Sequence, residues 1–294
     1  MLGQVVRIRA NGLEVRTEEG VVRCSLRGRL KKERGAGKLA TVGDEVELEA
    51  SGAGEGRIGR VLPRRTKLSR PDPHNPRREL VMVANVDALV VVVAAADPPP
   101  DLLTIDKCTV MASAGGVPSA VCVNKIDLES PPWMTAYAKA GIQVMKTSAA
   151  TGAGLEDLRA FLAGKLTVFV GPSGVGKSTL LNALKPGLAL KTREVGGTGE
   201  GRHTTSWAEI VDVGGGRVID TPGLEFFGLW GVTAADVGER FQEFPSGCKF
   251  RNCQHTNEPK CVVRDEVGRG VVAESRYENY LAIRRILMES AEMF

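Results

Sequence analysis

Short runs in which apolar and polar residues alternate fill roughly the first 65 positions. Val6 and Ile8 precede Asn11-Gly12 and Leu13 and Val15 follow it, the signature of a tight hairpin. Alternating runs at Val21–Leu26, Val46–Leu48 and Ile58–Leu62 bring the count to five strands without a helical period. Five short strands in this arrangement predict a small barrel of the OB type. The Pro-rich stretch Arg70-Pro71-Asp72-Pro73-His74-Asn75-Pro76 reads as a linker. After it the texture changes. Apolar runs at Ala88–Ala96, Val117–Val123, Ile142–Met145 and Leu166–Val170 alternate with helical patterns over 101–114, 131–140 and 154–163. Continuous Val-rich runs between helices predict parallel strands covered on both faces, hence an α/β domain. A final amphipathic helix is predicted near 274–288, with Tyr277, Tyr280, Leu281, Leu287 and Met288 on one face. The expected organisation is multidomain: an OB-like β-barrel over 1–68, an α/β domain over 69–230 and a small helical domain over 231–294.

Composition changes this picture little. Hydrophobic residues make up 43% and charged residues 25% of the 294 positions, ordinary for a globular protein. The longest apolar run is far too short to span a bilayer and no secretory signal opens the chain, so a cytoplasmic protein with no membrane partner is expected. Charge is more telling. Residues 1–70 hold 16 Lys and Arg against 9 Asp and Glu, while the remainder is slightly acidic. Such an excess fits a phosphate-backbone partner and a solvated basic face equally well. Of six cysteines, Cys24, Cys108 and Cys122 lie singly in apolar segments and read as core residues.

Chemistry enters with Gly171-Pro172-Ser173-Gly174-Val175-Gly176-Lys177-Ser178, directly after the strand Leu166–Val170. This is GxxxxGK[ST] in its strand–loop–helix setting. Its glycines let backbone amides surround phosphate oxygens at a helix N-terminus. Lys177 should reach the β- and γ-phosphates, and Ser178 should ligate Mg²⁺, with Thr179 beside it in the nucleotide site. Asn124-Lys125-Ile126-Asp127 ends the run Val117–Val123. The Asp127 carboxylate can accept from the ring N–H and the exocyclic amine of guanine, a donor pair that adenine lacks, and the Lys125 stem would lie along the base. Thr147-Ser148-Ala149 resembles the loop whose backbone, at Ser148 and Ala149, supports the guanine carbonyl. Asp220-Thr221-Pro222-Gly223 matches DxxG, with Asp220 holding magnesium through water and the Gly223 N–H sensing the γ-phosphate. Between P-loop and DxxG, Gly201-Arg202-His203-Thr204-Thr205 has the polar character of a switch segment, with Thr204 preferred over Thr205 for completing the magnesium shell. In the usual order the P-loop comes first. Here NKID and TSA precede it, so the order is circularly permuted, and the segment after DxxG runs straight into the C-terminal domain.

Cys248, Cys253, His255 and Cys261 follow the spacing C-x4-C-x-H-x5-C. Three thiolates and an imidazole complete a tetrahedral Zn²⁺ shell without an open position, which predicts one structural zinc. So small a module has too little core to fold unaided.

With these motifs in this order, the chain resembles the RsgA/YjeQ family of circularly permuted, small-subunit-dependent GTPases over nearly its whole length. The resemblance implies GTP hydrolysis to GDP late in the maturation of the small (30S) ribosomal subunit, stimulated by that subunit and its ribosomal RNA. After DxxG many GTPases place a glutamine that orients water; Leu224 stands there, a replacement typical of this group. Slow intrinsic turnover is therefore expected. His203, beside the magnesium threonine, is the candidate for orienting or accepting a proton from the water, set against the alternative of an exposed histidine with no catalytic role. Arg202 could stabilise transition-state charge. No Phe, Trp or Tyr occurs in 1–70, so shape and phosphate recognition of RNA is expected there rather than base stacking, with Lys31, Lys32 and Arg34 as contacts. Two other readings are a GTP-controlled binding switch or scaffold with incidental hydrolysis, and a GTPase delivering zinc to a client. A monomer is expected.

Overall fold

Alternation along the N-terminal segment closes into a barrel in this computed structural model, which describes residues 1–9, 12–26, 40–52, 54–185, 187, 208–220 and 228–292. Strands β1 (Leu2–Arg9), β2 (Gly12–Thr17), β3 (Gly20–Leu26), β4 (Glu45–Gly52) and β5 (Glu55–Val61) pair in the order β1-β2-β3-β5-β4, and a β1–β4 pairing shuts the ring. Only the β3–β5 contact is parallel. The inward positions of the alternation, among them Val5, Val15, Val46, Leu48 and Ile58, form its dry interior. These are the five strands the pattern predicts. The cationic stretch from Arg27 to Lys38, with Lys31, Lys32 and Arg34, lies outside the described residues.

The Pro-rich stretch is not a linker. Strands β6 (Lys67–Asp72) and β7 (Asn75–Ala84) form a two-stranded hairpin through it. Proline lacks a ladder donor but is tolerated in edge strands, and an edge strand is what a two-stranded sheet supplies. The Asp72 carboxylate accepts from the His74 N–H at 2.9 Å and fixes the turn. Leu68 and Val83 are buried in the same core as the neighbouring domain and tie the hairpin to it.

That domain is a sheet ordered β10-β9-β8-β11-β13-β12. The predicted runs appear as β8 (Ala88–Ala94), β9 (Ser119–Asn124), β10 (Gln143–Lys146) and β11 (Leu166–Val170), parallel to one another and to β13 (Gly216–Asp220). Helices α1 (Leu102–Ala114) and α2 (Met134–Lys139) cover one face, where Ile105, Met111 and Tyr137 pack on Leu89, Val91 and Val93. Helices α3 (Leu155–Leu162) and α4 (Lys177–Leu184) cover the other, placing Leu158 and Leu181 against Val90 and Val92. Every second valine of β8 thus serves a different layer, which is why the run is apolar without interruption. Helix α1 starts where Asp101 caps the Leu103 N–H at 3.0 Å.

Like the two hairpin strands, a strand on the far side of β13 is absent from the predicted set. Strand β12 (Glu209–Val213) is antiparallel to β13, and its Glu209 also pairs with Arg7 of β1. Barrel and α/β domain therefore share one continuous eleven-stranded sheet.

The C-terminal module holds a short 3-10 helix (Val237–Arg240), α5 (Val262–Gly268) and α6 (Glu274–Glu292). Its core of Val232, Val237, Phe241, Tyr280 and Ile283 includes Val110 of α1, so the module packs on the α/β domain. Tyr277, Leu281 and Leu287 pack against this core as the helical pattern predicts, but Met288 is exposed. Its place on the inward face goes to Ile283 and to Arg276.

Candidate nucleotide site and metal centre

All the described motifs converge on the C-terminal ends of the parallel strands, where α/β domains bind ligands. The P-loop leaves β11 with Gly171 at φ 146°, Gly174 at 82° and Gly176 at 93°. Two of these positions admit no side chain. A Cβ on Gly171 would lie 2.0 Å from the Val92 carbonyl oxygen, and one on Gly176 would lie 2.4 Å from Asn124 Nδ2. Val175 is buried and anchors the loop, Pro172 and Gly174 are half-buried, and Ser173 is exposed. Lys177 Nζ donates to the loop's own carbonyls, Gly171 O at 2.6 Å and Pro172 O at 2.8 Å. The ammonium thus sits where loop and helix N-terminus meet, beside half-buried Ser178 and exposed Thr179.

Asn124 is the hub of the site. Its Nδ2 donates to Val175 O at 2.9 Å, while its Oδ1 accepts from the Ala149 N–H at 3.2 Å and the Thr147 hydroxyl at 3.4 Å. One amide thereby bolts NKID to the P-loop and to TSA. Lys125 adopts φ 62°, and its ammonium donates to the Asp97 carbonyl. The following turn leaves Asp127 exposed at its edge, free to accept from a planar donor pair. Ser148 is buried, its hydroxyl accepting from the Thr151 N–H at 3.1 Å. Asp97 escaped the sequence reading, because a backbone carbonyl leaves no compositional trace.

Asp220 ends β13, and burial raises its carboxyl above the usual range, helped by the neighbouring Glu209 charge and opposed by Lys177. A cation bound there would reverse this. Arg202, His203, Thr204, Thr205, Gly223 and Leu224 lie outside the described residues.

The four metal-ligand candidates come together. The Sγ atoms of Cys248, Cys253 and Cys261 and one ring nitrogen of His255 lie within 4.8 Å of one another. His255 Nδ1 is 3.6 Å from Cys248 Sγ and 3.4 Å from Cys261 Sγ. His255 reaches this pose at φ 53°, held by its carbonyl accepting from Tyr277 Oη at 2.6 Å. Glu258 collects the Gln254 and Thr256 amides at 2.7 and 2.8 Å, closing the loop between ligands. Burial pushes the Cys253 thiol up to about 12 and lowers the imidazole, whereas at Cys248 burial is the largest single influence but the Val262 and Val263 amides together with the Cys253 and Cys261 thiols outweigh it and lower the thiol. Four soft donors converging this closely fit a tetrahedral divalent metal, whose charge would ionise the thiols.

A strand–P-loop–helix unit, NKID bonded to it, and DxxG reached last define a P-loop GTPase of permuted motif order. The family model for RsgA GTPase matches residues 61–230 and that for the RsgA N-terminal domain matches 2–58. The chain is 44% identical to the small ribosomal subunit biogenesis GTPase RsgA of Gemmatimonas aurantiaca, over 97% of each chain. It is 36% identical to that of Caldanaerobacter subterraneus, covering 98% of this chain and 96% of the relative. The crystal structure of YjeQ from Thermotoga maritima superposes with a TM-score of 0.78 at 34% identity over 98% of both chains. YloQ, a circularly permuted GTPase, superposes with 0.75 at 28% identity, covering 98% of this chain and 95% of that one. The chain belongs to the RsgA GTPase family, and it is a GTPase.

Proposed function

We propose that the protein hydrolyses GTP to GDP during maturation of the small ribosomal subunit, bound to that subunit and its ribosomal RNA and stimulated by them. The observation that carries this reading is end-to-end similarity to relatives named small ribosomal subunit biogenesis GTPases. In this reading the domains run 1–68, 69–230 and 231–294. The P-loop from Gly171 to Ser178 cradles the phosphates, with Lys177 on the β- and γ-oxygens. Asp127 and Lys125 select guanine, while Asn124 holds the base-side and phosphate-side loops in one frame. Ser178 and Thr204, with Asp220 through water, would hold magnesium, whose charge would offset that developing on the phosphates. The Gly223 amide registers the γ-phosphate. Leu224 supplies no hydrogen bond to the attacking water, so that task falls to His203.

The Cys3His set holds one structural zinc, because four protein ligands leave no exchange route. This favours a scaffold role for the metal over delivery to a client. Among the described residues no helix is long and apolar enough to cross a membrane. A ribosome-maturation role implies a cytoplasmic protein, and we take it to act as a monomer. Leu224 also supports the second reading, a GTP-controlled binding switch with incidental hydrolysis. The deciding test is GTP turnover by the protein alone, with small subunits, and with large subunits. A low basal rate raised by small subunits only is expected. A rate that neither subunit changes would remove the ribosomal assignment.

A further inference from the structure

The barrel is bonded to the one hairpin that separates the two segments read as switches. Strand β12 begins directly after 188–207, and β13 ends at Asp220, directly before 221–227. Among the described residues, three side-chain links run between barrel and hairpin. Arg16 faces Asp212 at 3.2 Å at the far end. Arg217 donates to Gln4 Oε1 at 2.6 Å. At the nucleotide end, Arg7 closes on the Glu209 carboxylate, itself registered opposite Asp220.

Two carboxylates opposite each other on antiparallel strands repel. The Arg7 guanidinium offsets that repulsion, and its side chain and that of Glu209 are only 35% and 26% exposed, so solvent screens the set incompletely. Among the described residues, the other charges facing the group are Glu14, 3.3 Å from Arg7 and paired also with Arg9, and Lys177 on the nucleotide side. Glu14 competes for Arg7 but lies on the barrel, away from Asp220.

We propose that Arg7 of the barrel is a positioning residue for the magnesium–nucleotide site, acting through Glu209 on Asp220. While Arg7 holds Glu209, the carboxylate is neutralised and kept off Asp220 and the phosphates. Once Arg7 is removed or drawn to another anion, an uncompensated negative charge stands beside the site. That charge penalises the triphosphate more than the diphosphate, since the former brings one further phosphate charge. The barrel thereby gains an influence on which nucleotide is held.

The proposal rests on Asp220 as the magnesium-side carboxylate. The test uses the purified full chain, fluorescent analogues of GDP and of non-hydrolysable GTP, and a magnesium titration. Arg7→Ala is expected to weaken the triphosphate analogue roughly fivefold and the diphosphate less. Arg7→Lys should recover most of the loss, and the double variant Arg7→Ala/Glu209→Gln should return to within about twofold of the parent. Arg16→Ala, which cuts a barrel link away from Asp220, should leave both affinities at parental values. If Arg7→Ala lowers the melting temperature sharply, Arg7→Gln, which keeps the stem over β1, replaces it. Parental affinities in the Arg7 variants, a loss that Glu209→Gln does not relieve, or an equal loss in Arg16→Ala would each overturn the proposal. Asp220→Ala in the same assay tests the underlying reading separately: parental magnesium dependence there would remove the role of Asp220 itself.

Discussion

Arg276 offers the sharpest test of how the C-terminal module is held. Its side chain is 2% exposed and lies between Asp106 of α1, 0% exposed, and Glu243, 9% exposed. The guanidinium donates to Asp106 and meets Glu243 in a fork at 2.6 and 3.0 Å, while Asn279 donates to the second Asp106 oxygen at 2.7 Å. The rings of Phe241 and Tyr137 lie 4.7 and 5.1 Å away. Arg276→Met preserves length and apolar bulk but strands two carboxylates. Removing one partner of a buried pair costs ~3–5 kcal/mol. Urea unfolding of the full chain should show that loss. Arg269→Met is the control: it breaks a surface pair with Glu266 in which Arg269 is 70% exposed, and it should cost under ~0.5 kcal/mol. The pH dependence supplies a second readout. Burial holds the Asp106 carboxyl at about 6, above its ordinary 3.8, although Arg276 pulls the other way. The native state therefore binds the extra proton between those values. Stability from this group is greatest below about 4, falls as pH rises to about 6, and is constant above. Asp106→Asn should remove that fall. Equal effects of Arg276→Met and Arg269→Met would refute the assignment of a buried, interdependent set.

Other outcomes follow from the nucleotide and metal sites. Asp127→Ala removes the acceptor for both guanine donors and should weaken GDP by roughly a hundredfold while leaving the melting temperature of the nucleotide-free protein unchanged. Gly176→Ala places a Cβ against Asn124 at a φ of 93°, so nucleotide affinity should fall by roughly tenfold or more, measured with a fluorescent analogue. Chelation should release one metal per chain and abolish hydrogen-exchange protection through 248–261, whereas retained protection would rule out a structural metal.

Much of this architecture was legible because its signals are local. The barrel strands and β8 to β11 announce themselves by period, and the P-loop and NKID by contiguous residues whose chemistry depends on adjacency. What escaped is non-local or disguised. Strand β12 interrupts its apolar residues with Glu209 and Asp212, and its meaning depends on pairing with Arg7 some 200 positions earlier. Prolines concealed the β6–β7 hairpin, since an edge strand tolerates what an interior strand cannot. Asp106 and Arg276 are 170 positions apart, and each alone reads as a solvated charge on an amphipathic helix. Asn124 was legible as a motif residue, but its role as a bolt depends on Val175, 51 positions away, and Ala149, 25 away.

Permutation gives these non-local contacts their mechanical sense. In this chain the strand that ends in Asp220 is followed by the module that packs on α1, and α1 itself begins just beyond Asp97, whose carbonyl accepts from Lys125 of NKID. The module thus follows the strand that ends in Asp220 and packs onto the helix that begins beyond Asp97. The barrel grips the same site from the sheet edge, through β1 on β12. The hairpin is thus laddered to the barrel at Arg7, while the module is fastened to α1 by the buried charges at Arg276.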